Sequence, residues 1–470
     1  MPREENADPA MYAINYIGRI FGYFIVGAIT TGAVGLVTFE GMHLYIEKVC
    51  MIPPPLDEWG WGDEVQGWTG GRHGGTDTRL GMRARHALRA AWVCQEWGWS
   101  LTGGAIGQRE TTQGEGEAAP QPGNTGYELA EMCLELAIAD AKDRGLVFPP
   151  SLSVTRPPGP GVQVEVPCDP TAVDMMMVKA GLLERISRDD TLVQAKEIYE
   201  TVWSTTTGDA RLMYLARKVG DLCARTGQDT EAIAWWAWGL NRAGVEISMS
   251  EGKGFTMTRV EEKTKLSPPV LRATISLLVS TSAHLATTSQ LQAASSLQDT
   301  ARSFLPSPQS LTPPTIATAA AVLHDTWLQH RSALFALHHS SVLHALGQPA
   351  LDEATTASER AESVLSAISP VPPAYAEYKS HVKTLSRDAA MLGAEAAYTQ
   401  AALLERAGAS LHTVAGGYQR AMELSTEESG QREEGSMGEE AKRYWRSFAR
   451  VKTKLEGSEA EAENGENRPV

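Results

Sequence analysis

The sequence predicts an all-α chain: one transmembrane helix near the amino terminus, followed by a superhelix of antiparallel helix pairs. Three observations predict it. The run Ile20–Phe39, IFGYFIVGAITTGAVGLVTF, is 20 residues without a charge. Between Pro- and Gly-rich breaks, nearly every segment is Ala- and Leu-rich with apolar residues at helical spacing, and no convincing run of alternating β-branched residues intervenes. The helices also come in pairs that share a register. Charge sets a first limit on function. With 42 basic and 57 acidic residues the formal net charge is −15. That is the wrong sign for a surface that grips phosphates, so no nucleic-acid partner is expected.

Residues 1–19 read as a short tail. They carry Glu4, Glu5 and Asp8 against Arg3 and Arg19, whereas import presequences avoid acids. As a helix, residues 20–39 span about 30 Å, the thickness of a bilayer core. Gly27, Thr31 and Gly35 recur at four-residue spacing, a face on which a second helix could pack closely. Two Arg precede the run and only Lys48 follows closely, which favours an amino terminus on the cytoplasmic or matrix side. Residues 40–79 form a Trp- and Gly-rich juxtamembrane segment that includes Trp59, Trp61 and Trp68. Its glycines Gly70, Gly71, Gly74 and Gly75 lack the strand and the Lys-Ser/Thr that a phosphate loop requires.

Residues 80–424 make the helical domain, with flexible loops expected at 101–126, 149–169 and 306–314. Residues 425–454 read as a polar linker with a short helix. Residues 455–470 carry five Glu against one Arg and read as an acidic disordered tail.

The clearest helix pair begins at Met213: MYLARKVGDLCARTGQDTEAIAWWAWGLNRAG. Gly220, Gly227, Ala232, Trp236 and Gly239 fall where a tetratricopeptide (TPR) unit places a small residue, a turn glycine, Ala, an aromatic and a second small residue. The physical logic is nesting: small residues let two antiparallel helices approach, and a large one fills the gap to the next pair. Gly181, Ala195, Tyr199 and Val202 repeat the pattern upstream, and Ala402, Gly408, Tyr418 and Ala421 repeat it downstream. Weaker pairs lie at 80–99 with 126–145, 269–286 with 290–305, and 316–346 with 350–368.

No constellation points to catalysis. HExxH, G-x-S-x-G and Walker patterns are absent from the sequence, so an enzyme is not expected, nor a cofactor. Cys50, Cys94, Cys133, Cys168 and Cys223 are odd in number and widely spread, which fits core residues rather than a disulfide framework or a zinc site. His324, His330, His338, His339 and His344 show no pairing at four-residue spacing, so no metal site is expected. The candidate binding row lies on the first helix of the clearest pair: Tyr214, Arg217, Asp221 and Arg225. TPR domains that grip acidic chaperone tails need an Asn in this row. Asp221 stands there instead and would repel a carboxylate, so an extended or helical protein segment is the expected partner.

A single span, the Trp-containing segment WGWGDEVQGWTGG and paired helical repeats at 173–204, 209–244 and 389–424 form a layout that resembles the fungal TPR-containing adaptor of the mitochondrial i-AAA protease. That resemblance implies a single-pass inner-membrane protein with its carboxy-terminal domain in the intermembrane space, presenting substrates to the protease. A different class also fits the sequence: a membrane-tethered co-chaperone or assembly factor whose repeats face the cytosol.

Overall fold

Apolar residues without a helix breaker carry the first element well past the uncharged run. Helix α1 spans Pro9–Tyr45 and continues into one π-turn at Ile46–Cys50. The second half of the expected tail is therefore helical, because helix propagates cheaply once nucleated and Ala10–Arg19 contains only one Gly. The stretch Tyr23–Cys50 is long and apolar enough to cross a membrane, and its large side chains, such as Tyr23 and Phe24 at 74–76 % exposure, are uncovered. The computed structural model describes residues 9–52, 57–64, 68, 75–102, 125–150, 167–250, 254–259, 266–305, 318–368, 373–427 and 439–466. The loop expected at 306–314 lies outside these residues, as do most of those at 101–126 and 149–169, residues 69–74, and 428–438 of the polar linker.

The chain divides into two compact units. The first comprises Met1–Pro53, Gly67–Phe148 and Cys168–Ile186; the second comprises Pro54–Gln66, Pro149–Pro167 and Ser187–Val470. In the first unit, a 3-10 turn at Thr78–Leu80 leads into α3 (Gly81–Thr102), α4 (Thr125–Asp143) and α5 (Pro170–Ile186). Short helix α2 (Trp61–Glu64) belongs to the second unit. Ala84, Leu88 and Ala91 of α3 recur at helical spacing and close on Leu134, Ala137 and Ile138 of α4, with Met175, Val178 and Leu182 of α5 completing the core. Asp77 caps the entry to α3 by accepting from the Arg79 amide at 2.9 Å, and Thr171 of α5 donates to its other oxygen at 2.5 Å.

The second unit holds α6 (Asp189–Thr205), α7 (Asp209–Arg225), α8 (Asp229–Arg242), α9 (Pro268–Thr287), α10 (Leu291–Ser303), α11 (Ala319–Ala345), α12 (Leu351–Ile368), α13 (Lys379–Arg406), α14 (Leu411–Glu427) and α15 (Glu439–Glu466). Successive helices pack as hairpins, and each odd helix also meets the next odd one: α7 touches α9, α9 touches α11, and α11 touches α13. That pattern is a stack of helical hairpins in which one layer runs continuously. In the clearest pair the nesting contacts fall where the spacing places them, whereas in the downstream pair the close approach is between neighbouring residues, Gly417 and Ala401, and Ala402 is only half-buried. A Cβ on Gly220 would stand 2.5 Å from Trp236 Nε1, one on Gly239 2.9 Å from Leu277, and one on Gly417 2.8 Å from the Ala401 Cβ. Gly227 adopts φ +74° at the hairpin turn, a conformation that favours glycine. Ala195, Tyr199, Tyr418 and Ala421 are buried as the register requires. The upstream match at 173–204 is divided: α5 belongs to the first unit and α6 to the second.

Two features depart from the sequence expectation. Strands β1 (Val245–Ser250) and β2 (Gly254–Arg259) form an antiparallel hairpin between α8 and α9, with Val245 opposite Arg259 and Ser250 opposite Gly254. Val245 and Ile247, then Thr256 and Thr258, alternate with other residues, but six positions per strand are too few to stand out from helical surroundings. The tail expected to be disordered from 455 is instead helical through Glu466, as the end of α15. Ala and Glu are strong helix formers, and Lys452 pairs with Glu456 at i,i+4.

Candidate functional site, a peptide seat on the hairpin stack

The predicted row on α7 is brought together and committed to itself. Arg217 pairs with Asp221 Oδ2 at 3.0 Å, while Trp236 Nε1 donates to Asp221 Oδ1 at 3.1 Å. Burial raises the Asp221 carboxyl above its usual range, against the pull of Arg217. Tyr214 lies within 5.6 Å of the Arg217 guanidinium and 6.0 Å of the Lys218 ammonium. Arg225, more exposed, donates to Ser187 Oγ at 2.7 Å. Asp221 thus fastens α7 to α8 through the Trp236 indole, a structural task that the sequence row does not disclose.

A second site in the same unit was not singled out by local spacing. The juxtamembrane segment Asp57–Trp61 lies across the amino-terminal ends of α9, α11 and α13. Arg272 of α9 is its centre. Only 2 % exposed, this guanidinium sits 3.9 Å from the Trp61 ring centroid, donates to the Trp59 carbonyl at 2.5 Å and meets His324 Nδ1 at 2.9 Å. A desolvated cation on an indole face is worth about 2 kcal/mol or more. Trp61 Nε1 donates to the Ala320 carbonyl at 3.1 Å, and Tyr378 Oη donates to Asp57 Oδ2 at 2.6 Å. Asp57 Oδ1 in turn accepts from the Trp59 amide at 3.0 Å, which curls the segment back on itself.

The walls are apolar and aromatic. Leu323, Val364, Val382 and Leu385 are buried around Trp61, His381 meets its ring edge-on at 5.1 Å, and His324 lies 5.3 Å from the Trp59 ring. Gly60 takes φ +68°, and a Cβ there would touch Pro269 at 3.0 Å, so the backbone presses against the start of α9. Burial and the Arg272 charge lower both His324 and His381 to about 4, so both rings are neutral near pH 7. A neutral His324 leaves Nδ1 as the acceptor that Arg272 requires. Burial, the hydrogen bond to the Asp57 carboxylate and the nearby Asp57 and Glu377 charges raise the Tyr378 hydroxyl above its usual range. One local signal for this site exists: Arg272 is the only Lys, Arg, Asp or Glu in Pro268–Thr287.

The first unit carries its own polar centre. Glu47, 4 % exposed, accepts from Arg85 at 2.8 Å and from the Thr76 amide and hydroxyl at 3.2 Å each, and pairs with Arg89 through its other oxygen. His86 adds a 3.0 Å contact to Glu40. These contacts lock the end of α1 against α3. On the predicted transmembrane packing face, Gly27 and Gly35 have nothing within 4 Å of a Cβ position, and Thr31 is exposed.

The histidines of α11 do not converge on a metal site, and among the described residues no group of three or more His, Cys, Asp or Glu is placed to hold an ion. Two of the scattered cysteines do meet. The Cys94 thiol of α3 hydrogen-bonds to Cys133 of α4, which lowers Cys133 to about 7 and, with burial, raises Cys94. Cys223 is pushed up to about 11 by burial, which leaves it a poor nucleophile. No protein-family model matches the chain, and no curated protein matches it.

Proposed function

We propose that the protein is a membrane-anchored adaptor whose helical hairpins, in the manner of tetratricopeptide arrays, hold extended segments of other proteins. The observation that supports this most directly is the seat of Asp57–Trp61. There the ends of three successive odd helices hold a short turn of polypeptide through a buried guanidinium, a tyrosine hydroxyl and a carbonyl. Stacked helical repeats commonly present extended surfaces to which segments of other proteins bind. The apolar helix α1 supports a single anchor.

The layout it resembles supplies a setting: the mitochondrial inner membrane, with the hairpins in the intermembrane space, working with an i-AAA-type protease. Purification of the tagged full chain in mild detergent tests this. An AAA protease subunit in the eluate is the expected result, and its absence counts against the setting. Protease treatment of intact organelles tests the orientation. A tag after α15 stays protected under this proposal, and is digested if the repeats face the cytosol as a co-chaperone or assembly factor would place them.

A further inference from the structure

We propose that the pocket across the ends of α9, α11 and α13 recognises turn-forming segments of partner proteins that carry a carboxylate with Trp residues two and four positions further on, and that Asp57–Trp61, whose Gly60 amide donates back to the Asp57 carbonyl at 3.2 Å, occupies it in cis as a displaceable stand-in. This rests on the reading of the stack as a peptide-holding scaffold and names what that scaffold reads.

The site is built for its occupant. Arg272 is buried at 2 % exposure, and the segment itself supplies two of its partners, the Trp59 carbonyl and the Trp61 ring. A guanidinium in an apolar wall needs polar and aromatic partners to offset its desolvation, and the occupant's carbonyl and indole add to the His324 contact in supplying them. The contacts define a pattern in the occupant: a carboxylate at the first position meets Tyr378, a carbonyl at the third meets Arg272, and an indole at the fifth stacks on Arg272 and donates to Ala320. The residue between the two indoles must be small and left-handed, as Gly60 is at φ +68° against Pro269. Glu58, between the carboxylate and the first indole, is exposed and unconstrained by the walls.

Nothing in this pattern demands covalent continuity with the pocket. Hydrogen bonds from the segment run through side chains and one carbonyl rather than through a strand ladder, so a partner's segment of the same pattern makes the same contacts. Covalent attachment gives the chain's own segment an effective concentration on the order of millimolar, which is the level a partner must overcome. The chain also contains a second Glu-Trp-Gly-Trp, at Glu96–Trp99, preceded by Gln95 instead of an acid. It provides a natural comparison peptide that lacks only the carboxylate position.

The test uses the full chain in detergent micelles and a fluorescein-labelled peptide of residues 56–63, read by fluorescence anisotropy. The double variant Trp59→Ala/Trp61→Ala is expected to bind the peptide at least about tenfold more tightly than the wild type, whose own segment competes. Arg272→Ala in that background is expected to abolish binding, and the peptide of residues 94–101 to bind more weakly than that of 56–63. Circular dichroism checks that the double variant keeps its helices. If it does not, hydrogen exchange on the wild type replaces it. Peptide in excess of the effective concentration is then expected to accelerate exchange at residues 57–64 while the start of α9 stays protected.

A folded double variant that shows no saturable binding, or binding indifferent to Arg272→Ala, overturns the proposal, as does wild-type exchange unchanged by peptide. Partner proteins that co-purify with a chain indifferent to the peptide would leave the adaptor reading standing and sink this inference. Peptide binding with no partner co-purified would do the reverse.

Discussion

Replacing Gly220 by Ala isolates the packing rule on which the hairpin stack depends. The new Cβ would stand 2.5 Å from Trp236 Nε1, 2.7 Å from Cδ1 and 2.9 Å from Cε2, distances that real Cβ contacts do not show. Trp236 is 1 % exposed and cannot swing into solvent without leaving the core. Its indole must shift, and the 3.1 Å bond to Asp221 is lost or stretched with it. Overpacking of a core costs about 1–3 kcal/mol, and a hydrogen bond to a charged group contributes about 1.5–3 kcal/mol. Against this stands a gain of about 1 kcal/mol for Ala over Gly inside a helix. The net expectation is a loss of about 2–5 kcal/mol. Urea unfolding of the full chain in detergent, followed by Trp fluorescence, reads the midpoint. Gly416→Ala is the internal control, because nothing lies within 4 Å of its Cβ position in α14, and it should be neutral or stabilising by up to about 1 kcal/mol. A Gly220→Ala midpoint equal to or above that of Gly416→Ala would refute the nesting argument.

Three further outcomes are expected. Glu200 is 8 % exposed and its carboxyl is raised from 4.5 to about 7 by burial, so the folded state holds a proton that the unfolded chain releases near 4.5. This contribution is fully present below 4.5 and lost as pH rises through 7, a span worth about 3 kcal/mol at most; because the buried histidines pull the other way below about 6.5, the test is the difference between variants, and thermal melts should show Glu200→Gln gaining on the wild type progressively from pH 5 to 8. Glu47→Ala leaves Arg89, 6 % exposed, without its carboxylate, and removal of one partner of a buried pair should cost about 3–5 kcal/mol locally, seen as faster hydrogen exchange at Thr76. In mass-spectrometric alkylation with iodoacetamide at pH 8, Cys133 should react before Cys94, and Cys94→Ala should slow Cys133 by removing the donor that stabilises its thiolate; faster labelling of Cys94 in the wild type would contradict the assigned polarity of the pair.

What was legible in the sequence is what helices write locally. Gly220 and Trp236 lie one hairpin apart, so their complementarity is visible as spacing, and the pairs expected at 80–99 with 126–145 and 269–286 with 290–305 appear as α3 with α4 and α9 with α10 within a few residues. What was not legible depends on distance along the chain. Trp61 and Ala320 are 259 residues apart and Asp57 and Tyr378 are 321 apart, and no periodicity connects them. Cys94 and Cys133 look isolated because only the α3–α4 hairpin places one against the other. The α7 row shows a local pattern with a second task. Its residues sit on the expected helix, and Asp221 also holds the Trp236 indole, a structural task that a carboxylate in a helical row does not announce.

The anchorage at Glu47 has a mechanical consequence. Helix α1 has 37 residues, a rod of about 55 Å, nearly twice the hydrocarbon thickness of about 30 Å. Lipid of a different thickness changes the lean of such a rod. In the anchored arrangement proposed above, the grip of Arg85, Arg89 and Thr76 on its far end through a buried carboxylate would pass such a lean on to α3. Bilayer thickness would then be an input to the pose of the first helical unit, and softening that grip, as Glu47→Ala does, would turn a stiff lever into a loose tether.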